Sequence, residues 1–388
     1  MQLTLTDEQK MIQETVREFV RKELIPLEFE FIRNEREGKT GISKERYKEI
    51  QLKGKKAGFW GLSTPEKYGG TGLDLLTRVL INIELGKTII PFHFGGDADN
   101  ILYHCNEEQK HKYLYPVING DRLSCFALTE PGAGSDARNI QTTAIKDGNE
   151  WIINGEKIFI TNGNEADFAI VFAVTDKGKG GHGGVTCFLV DREMGWKSEN
   201  IHTIDGWDPA SLIFDNVRVP EENILGEVGH GFELGMKWIT NGRTIIPARA
   251  IGIAERLLQM GIDHSKTRIA FNHPISEYQA IQWMLAESAV EIEASKWLVF
   301  NAAYTADIGK PPQYNATIAK LYGSNMVNRV VDRILQIHGG MGLTKELPIE
   351  LWYRSVRKYR VFEGTDEILK RTIARNLLSE KVKVGSFS

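Results

Sequence analysis

"TEPGAGSDARNIQTTAI", residues 129–145, carries Gly132 and Gly134 in a spacing that imitates part of a dinucleotide-binding turn. The residues just after those glycines decide the fold. A Rossmann unit runs from them into a crossover helix whose N-terminus receives the pyrophosphate. Here they lead instead into "IQTTAI" (140–145), which is β-branched and reads as a strand. The doubly wound parallel fold is thereby excluded. The glycines become a turn, and their exposed backbone donors, with Thr129 and Ser135, suit a polar, hydrogen-bonding cofactor.

The same texture continues downstream in "EWIINGEKIFI" (150–160), "FAIVFAV" (168–174), "VTCFLV" (185–190) and "SLIFDNVRV" (211–219), separated by polar or glycine-rich breaks. "DKGKGGHGG" (176–184) precedes a strand and offers no helix N-terminus to a phosphate, so it reads as a mobile hairpin loop. On both sides of this β segment the period is helical. Thr6 and Gln9 have capping-box spacing, and Met11, Ile12, Val16, Phe19 and Val20 follow a helical period that Pro26 is expected to stop. Long helices return after Gly229. A second capping box is expected at Ser276 and Gln279, and a further long helix comes after "GKPPQ" (309–313). The expected class is α+β, with an N-terminal α-helical domain (1–121), a central β-barrel or sandwich domain (122–228) and a C-terminal helical domain (229–388).

Bulk properties narrow the function. The 388 residues include 48 basic and 51 acidic side chains, a net charge of −3, with no long block of like charge. Neither a nucleic-acid arm nor a polybasic membrane patch is present, so no nucleic acid and no membrane are expected as partners. The amino terminus lacks a signal-peptide pattern and no 18 apolar residues run together, which predicts a cytoplasmic enzyme. Cys105, Cys125 and Cys187 fall in no paired-cysteine spacing and read as reduced, buried thiols. No zinc spacing, serine-hydrolase elbow or Walker loop equips the chain for hydrolysis or phosphoryl transfer.

Two further stretches carry chemistry-bearing residues. In "YRVFEGTDEI" (359–368), Glu363 comes after Val361 and Phe362, while Gly364 and Thr365 open a helix whose first turn holds Asp366 and Glu367. By itself the segment reads as an acid near a helix start. "QIHGGMGLT" (336–344) closes a long helix with a glycine cap, and its small residues would let a ligand approach the backbone, with Arg268 as an anion partner.

Taken in order, "LTEPGAGSDA" (128–137), "KIFITNG" (157–163), "FDNVRVPEENILGEVGHGF" (214–232), "QAIQWMLAE" (279–287), "QIHGGMGLT" and "FEGTDEI" resemble the acyl-CoA dehydrogenase family over nearly the whole chain. The resemblance implies that family's fold, with a C-terminal four-helix bundle. It also implies an FAD-dependent oxidoreductase of acyl-CoA metabolism and β-oxidation that forms a trans-2-enoyl-CoA. Glu363 matches the base that takes the α proton, while the β hydride passes to flavin N5 and electrons leave to an electron-transfer flavoprotein. Phe126, Leu128, Thr129, Phe159 and Thr161 match positions that hold the isoalloxazine ring. Gly134 matches a further flavin position, and Ser135 one that contacts flavin phosphate or substrate. Arg268, Phe271, Gln336, Gly339 and Gly340 match residues that complete a neighbouring subunit's FAD, and Tyr278 and Ile281 match further cofactor-binding positions; the shared site implies an oligomer, a homotetramer built as a dimer of dimers. Thr365 and Glu367 match further flavin positions, and Arg243, Phe362 and Gly364 substrate positions. Two family branches carry the base at the position matching Gly242; with glycine there and glutamate at 363, this chain resembles the main branch.

Three departures bear on the substrate and the acceptor. Phe159 stands where a tryptophan is common, and the loop in "DGWDPASLIF" (205–214) is shorter than usual. The segment "GKTIIPFHFGGDADNIL" (86–102), which lines the acyl pocket in relatives, carries His93, Asp97 and Asp99 and no arginine. Solvent-facing polarity is the expectation for those three. Rival readings are a flavin oxidase or monooxygenase on the same fold, a reductase or decarboxylating member, and a DNA-associated flavoprotein, the last disfavoured by the absence of a basic surface signal.

Overall fold

The computed structural model describes residues 4–39, 41–180, 183–206 and 208–385. Its helices are α1 (Asp7–Phe19), α2 (Glu28–Arg36), α3 (Lys44–Lys56), α4 (Leu75–Leu85), α5 (Glu107–Gln109), α6 (Tyr115–Asn119), α7 (Gly231–Thr267), α8 (Gln279–Asp307), α9 (Gln313–His338), α10 (Ile349–Ser355) and α11 (Asp366–Leu378). The strands are β1 (Ser124–Ala127), β2 (Thr143–Asp147), β3 (Glu150–Ile160), β4 (Phe168–Val174), β5 (Val185–Asp191), β6 (Lys197–Asn200), β7 (Ala210–Pro220), β8 (Ile224–Leu225), β9 (Ile269–Ala270) and β10 (His273–Pro274). This is the three-part order of helices, central sheet and helices.

Contacts divide the chain into two compact units: Trp60–Gly72 with Gly95–Ile239, and Met1–Phe59 with Leu73–Phe94 and Thr240–Ser388. In the first, the strands run in the order β6-β7-β3-β2-β4-β5-β8, with β1 parallel to β4. All seven residues of β4 are buried. Phe168, Ile170 and Phe172 join a core with Tyr113, Leu114 and Phe232, whereas Ala169, Val171 and Ala173 join a second core with Ile153, Leu212 and Phe214. The two-residue period of a strand buried on both faces thus supplies two cores at once. β4 and β5 form the antiparallel hairpin expected around the glycine-rich segment; Gly181 and His182 of that loop lie outside the described residues. β3 and β7 slip register between Lys157 and Ile160, and this bulge turns Phe159 out of the ladder. The short β1, β6 and β8 were not legible as strands.

In the second unit α1 packs on α4, α4 on α8, and α9 against α8, α10 and α11. The Thr6–Gln9 capping box is formed. Pro26 does not stop the first run. A π-helical turn, Val20–Leu24, and a 3-10 turn, Ile25–Leu27, carry the chain into α2, with the proline at the start of a turn where its missing N–H costs little. Nor does Ser276 cap α8. It lies inside a 3-10 turn, Ile275–Glu277, closed by the Tyr278 N–H, and the N-cap is Tyr278 without a side-chain bond. Among the described residues no helix is long and apolar enough to cross a membrane. All three cysteines are free and buried.

Candidate active site

Glu363 sits just before α11, at φ 55°, in the left-handed region that an acid with a full side chain rarely adopts. Its neighbours hold it there. Arg243 Nε donates to the Glu363 carbonyl at 3.1 Å, and Lys320 Nζ donates to the Gly364 carbonyl at 2.7 Å. Gly364 comes next at φ 96°, and a Cβ there would lie 3.2 Å from Arg243 Nη2 and 3.3 Å from Leu369. Glycine is required by the backbone and by the guanidinium packed against it. The Thr365 side chain then accepts the Ile368 N–H, starting α11 as the sequence indicated. Asp366 is buried and bonded to Arg360 at 2.7 Å and to Asn325 at 3.0 Å, while Glu367 is exposed.

The carboxylate itself faces α7 at Gly242, where a Cβ would stand 3.0 Å from Glu363 Cδ and 3.2 Å from Oε2. Any larger residue at 242 would occupy the acid's place. Oε2 is buried without a hydrogen-bond partner, and the Glu363 N–H has none among the described residues. Burial drives the Glu363 pKa from 4.5 up to about 7, against the opposing pull of Arg243 and Lys320. Desolvation therefore outweighs both cations. Lys320 is wholly buried, and burial lowers its own pKa to about 8. Phe362 lies edge-on to Tyr359, with ring centroids 5.5 Å apart. Sequence reading missed Lys320; its one signal was a lone lysine on an otherwise apolar helical stretch, "TIAKLYG" (317–323).

A second group of expected residues gathers in the sheet unit. Phe126 of β1 stacks on Trp238 at 4.1 Å and lies 4.9 Å from Phe172. Leu128 is buried, and its carbonyl accepts from Lys157 Nζ at 3.1 Å; the Thr129 carbonyl accepts the Ile158 N–H at 2.8 Å. Lys157 also reaches Glu130 at 2.7 Å, a buried ion pair whose acid further accepts the N–H groups of Gln141 and Thr142. Burial lowers the Lys157 pKa to about 8. This pair, absent from the sequence reading, ties residues 128–130 to the bulged end of β3. Thr129, Gly134, Ser135, Phe159 and Thr161 are thus gathered with an exposed aromatic ring, open space at Gly132 and an uncrowded backbone at Gly134. Such a set, an aromatic face beside hydroxyls and uncrowded backbone, fits a flavin.

The third group lies where α7 ends. Arg268 precedes the β9–β10 hairpin and Phe271 lies in its turn, Tyr278 and Ile281 open α8, and the Tyr278 hydroxyl donates to the Ala270 carbonyl at 2.8 Å. His264 of α7 stacks on His338 of α9 at 4.2 Å, which brings Gln336, Gly339 and Gly340 to the same end. Phe271 is 88% exposed. From Arg243 to Thr267, α7 rises about 36 Å. One chain therefore holds this group far from Glu363.

Backbone strain marks these groups independently. Seven described non-glycine residues have positive φ; three are asparagines, and three of the other four are Phe159, Phe271 and Glu363. Such outliers concentrate at functional sites.

Of the three polar residues in segment 86–102, His93 and Asp97 are exposed and Asp99 is half-buried, and each also makes hydrogen bonds within the protein. The Asp97 carboxylate accepts the Ser63 and Thr64 N–H groups, and Asp99 bonds Trp238 Nε1 at 2.7 Å and Ser124 Oγ at 2.8 Å. His93 bonds Tyr47. Asp97 and Asp99 thus spend their polarity on fixing loops and the Trp238 ring.

Residues 6–121, 125–217 and 229–378 match, in order, the acyl-CoA dehydrogenase N-terminal, middle and C-terminal domains. An acyl-CoA dehydrogenase of Bacillus subtilis is 38% identical, with 96% of this chain and 99% of that protein covered. A caffeyl-CoA reductase-Etf complex subunit of Acetobacterium woodii is 36% identical, with 97% and 99% covered. The solved butyryl-CoA dehydrogenase of Megasphaera elsdenii superposes with a TM-score of 0.86 at 35% identity, covering 97% of this chain and 100% of that one. With every segment matched in order and a full-length structural likeness, this chain belongs to the acyl-CoA dehydrogenase family, an FAD-dependent group of oxidoreductases.

Proposed function

We propose that the protein removes hydrogen from the α and β carbons of an acyl-CoA thioester, with Glu363 as the base. The observation that carries this reading is an unbonded, desolvated carboxylate oxygen on a glutamate whose pKa is near 7. The α proton of a thioester is far less acidic than a carboxylic acid, so the base needs both a raised pKa and help for the charge it creates. The free Glu363 N–H is a donor available to a thioester oxygen as that charge develops. Arg243 and Lys320 act as positioning residues, because each anchors a carbonyl beside the strained backbone that aims this N–H. Bound FAD supplies the hydride acceptor. Phe126, Leu128, Thr129, Gly134, Ser135, Phe159 and Thr161 would hold its ring end, while Thr365 and Glu367 match further flavin positions of the family. Phe362 and Gly364 would border the thioester.

Arg268, Phe271, Tyr278, Ile281, Gln336, Gly339 and Gly340 would serve the FAD of a second subunit. The distance along α7 supports this, as does the exposed stripe Trp283, Val290 and Trp297 on one face of α8, which suits burial in a homotetramer. An electron-transfer flavoprotein as acceptor, and a cytoplasmic setting, fit the Etf-complex relative and the reduced, buried thiols. We keep 1–121, 122–228 and 229–388 as the domain division. Because three relatives are named reductases, the reverse reaction, with Glu363 returning the proton, is a second reading. Anaerobic addition of butyryl-CoA should bleach the flavin-loaded enzyme, with colour restored by electron-transfer flavoprotein and only slowly by air. Absence of bleaching by any acyl-CoA would refute dehydrogenation, and fast recovery in air would make the protein an oxidase.

A further inference from the structure

Beside Glu363, in the same compact unit, lies a polar cluster that proton removal does not use. Arg249 stands on α7 seven residues after Gly242, two turns along the same face and about 10 Å from the glycine that touches the Glu363 carboxylate. A tight crossing of α4 and α7 fixes it there, since a side chain at Gly86 would strike the Arg249 carbonyl and one at Gly252 that of Ile83. Arg249 Nε donates to Asn82 Oδ1 at 3.0 Å and Nη2 to the Phe92 carbonyl at 2.7 Å. Both acceptors are neutral. Nη1 has no partner, and no carboxylate meets this guanidinium among the described residues. Tyr359, whose ring meets that of Phe362 next to Glu363, is within electrostatic reach of it.

His93 is the residue after the Phe92 carbonyl. The Tyr47 hydroxyl accepts the His93 N–H at 3.2 Å and lies 2.9 Å from Nδ1. Its hydrogen is therefore directed to Nδ1, and the neutral ring carries its own hydrogen on Nε2. Burial and Arg249 drive the imidazole pKa down to about 4, so the ring is neutral near pH 7. Yet the residue is exposed, so a ligand can reach the ring. Nε2–H has no partner among the described residues.

A half-buried cation without a counter-ion, beside a free N–H donor, is costly unless something anionic completes it. We propose that Arg249 Nη1 and His93 Nε2–H receive a carboxylate at the far end of the acyl chain, so that the preferred substrate is the CoA thioester of a dicarboxylic acid. This rests on the dehydrogenation reading above and names its substrate class. A carboxylate matches the planar guanidinium, and a methyl-ended chain would leave both donors unpaired.

The test measures anaerobic flavin bleaching of the wild-type holoenzyme by glutaryl-CoA and adipoyl-CoA against pentanoyl-CoA, hexanoyl-CoA and the monomethyl ester of adipoyl-CoA. The expected kcat/KM favours the carboxylates on the order of a hundredfold, with the ester grouped with the methyl-ended chains. Arg249→Gln should collapse that ratio. Because it also removes ties to Asn82 and Phe92, His93→Phe is the second variant and should cut the ratio about tenfold. Equal rates for carboxylate and methyl-ended chains, or preference for the ester, would overturn this inference and leave dehydrogenation standing. No bleaching by any thioester would overturn dehydrogenation and this inference with it.

Discussion

Glu363 combines three costly features: positive φ, a buried oxygen without a partner, and two cations that fail to hold its pKa down. A base working from this state gives a kcat/KM that rises with pH through about 7, because only the ionised form accepts the proton. Lys320→Met removes a cation that favours the ionised form, so that limb should move to higher pH; an unmoved limb would deny Lys320 its influence. The sign for stability is also fixed. Glu363's folded pKa lies above its ordinary 4.5, so ionisation destabilises the fold progressively between pH 4.5 and about 7. Glu363→Gln should therefore match wild type in thermal stability near pH 4 and exceed it at pH 8, by at most about 3 kcal/mol and less after solvent screening. The sequence disclosed part of this residue's setting. Val361, Phe362 and Gly364 signalled an apolar site and a special backbone, but Arg243, Lys320 and Gly242 reach Glu363 only through packing between distant segments. No local pattern records them.

Among the elements, α11 and α8 show what local pattern does and does not encode. Thr365 caps α11 through its own side chain, whereas Ser276, in an equally plausible spacing, is drawn into a 3-10 turn. Thr365→Ala should cost about 1 kcal/mol in denaturant unfolding, and Ser276→Ala less than about 0.5 kcal/mol. Equal losses would contradict this placement of the caps. The strands that fill β3, β4, β5 and β7 were legible because each is long and apolar on at least one face. β6 is four exposed or half-exposed residues held by pairing with β7, and such a strand exists only through its neighbour.

At the scale of the molecule, the order of helices, sheet and helices was readable from changing periodicity. The compact units were not, since residues 60–72 and 95–121 gather with the strands through buried contacts such as those of Tyr113 and Leu114. The α8 stripe is likewise understood only from exposure: Trp283, Val290 and Trp297 are 58, 69 and 54% exposed. If a second subunit covers them, Trp297→Glu should lower the mass seen by light scattering and weaken flavin retention together, because the Arg268 group would lose the site it completes. An unchanged mass would argue against this face as the interface.

The most direct test of the central claim is Glu363→Gln in the flavin-loaded protein, mixed anaerobically with an acyl-CoA that bleaches wild type. The amide retains the shape and cannot take the α proton, so the variant should remain folded and yellow, still bind the thioester, and bleach at least about 10²-fold more slowly. Bleaching at the wild-type rate would contradict Glu363 as the base.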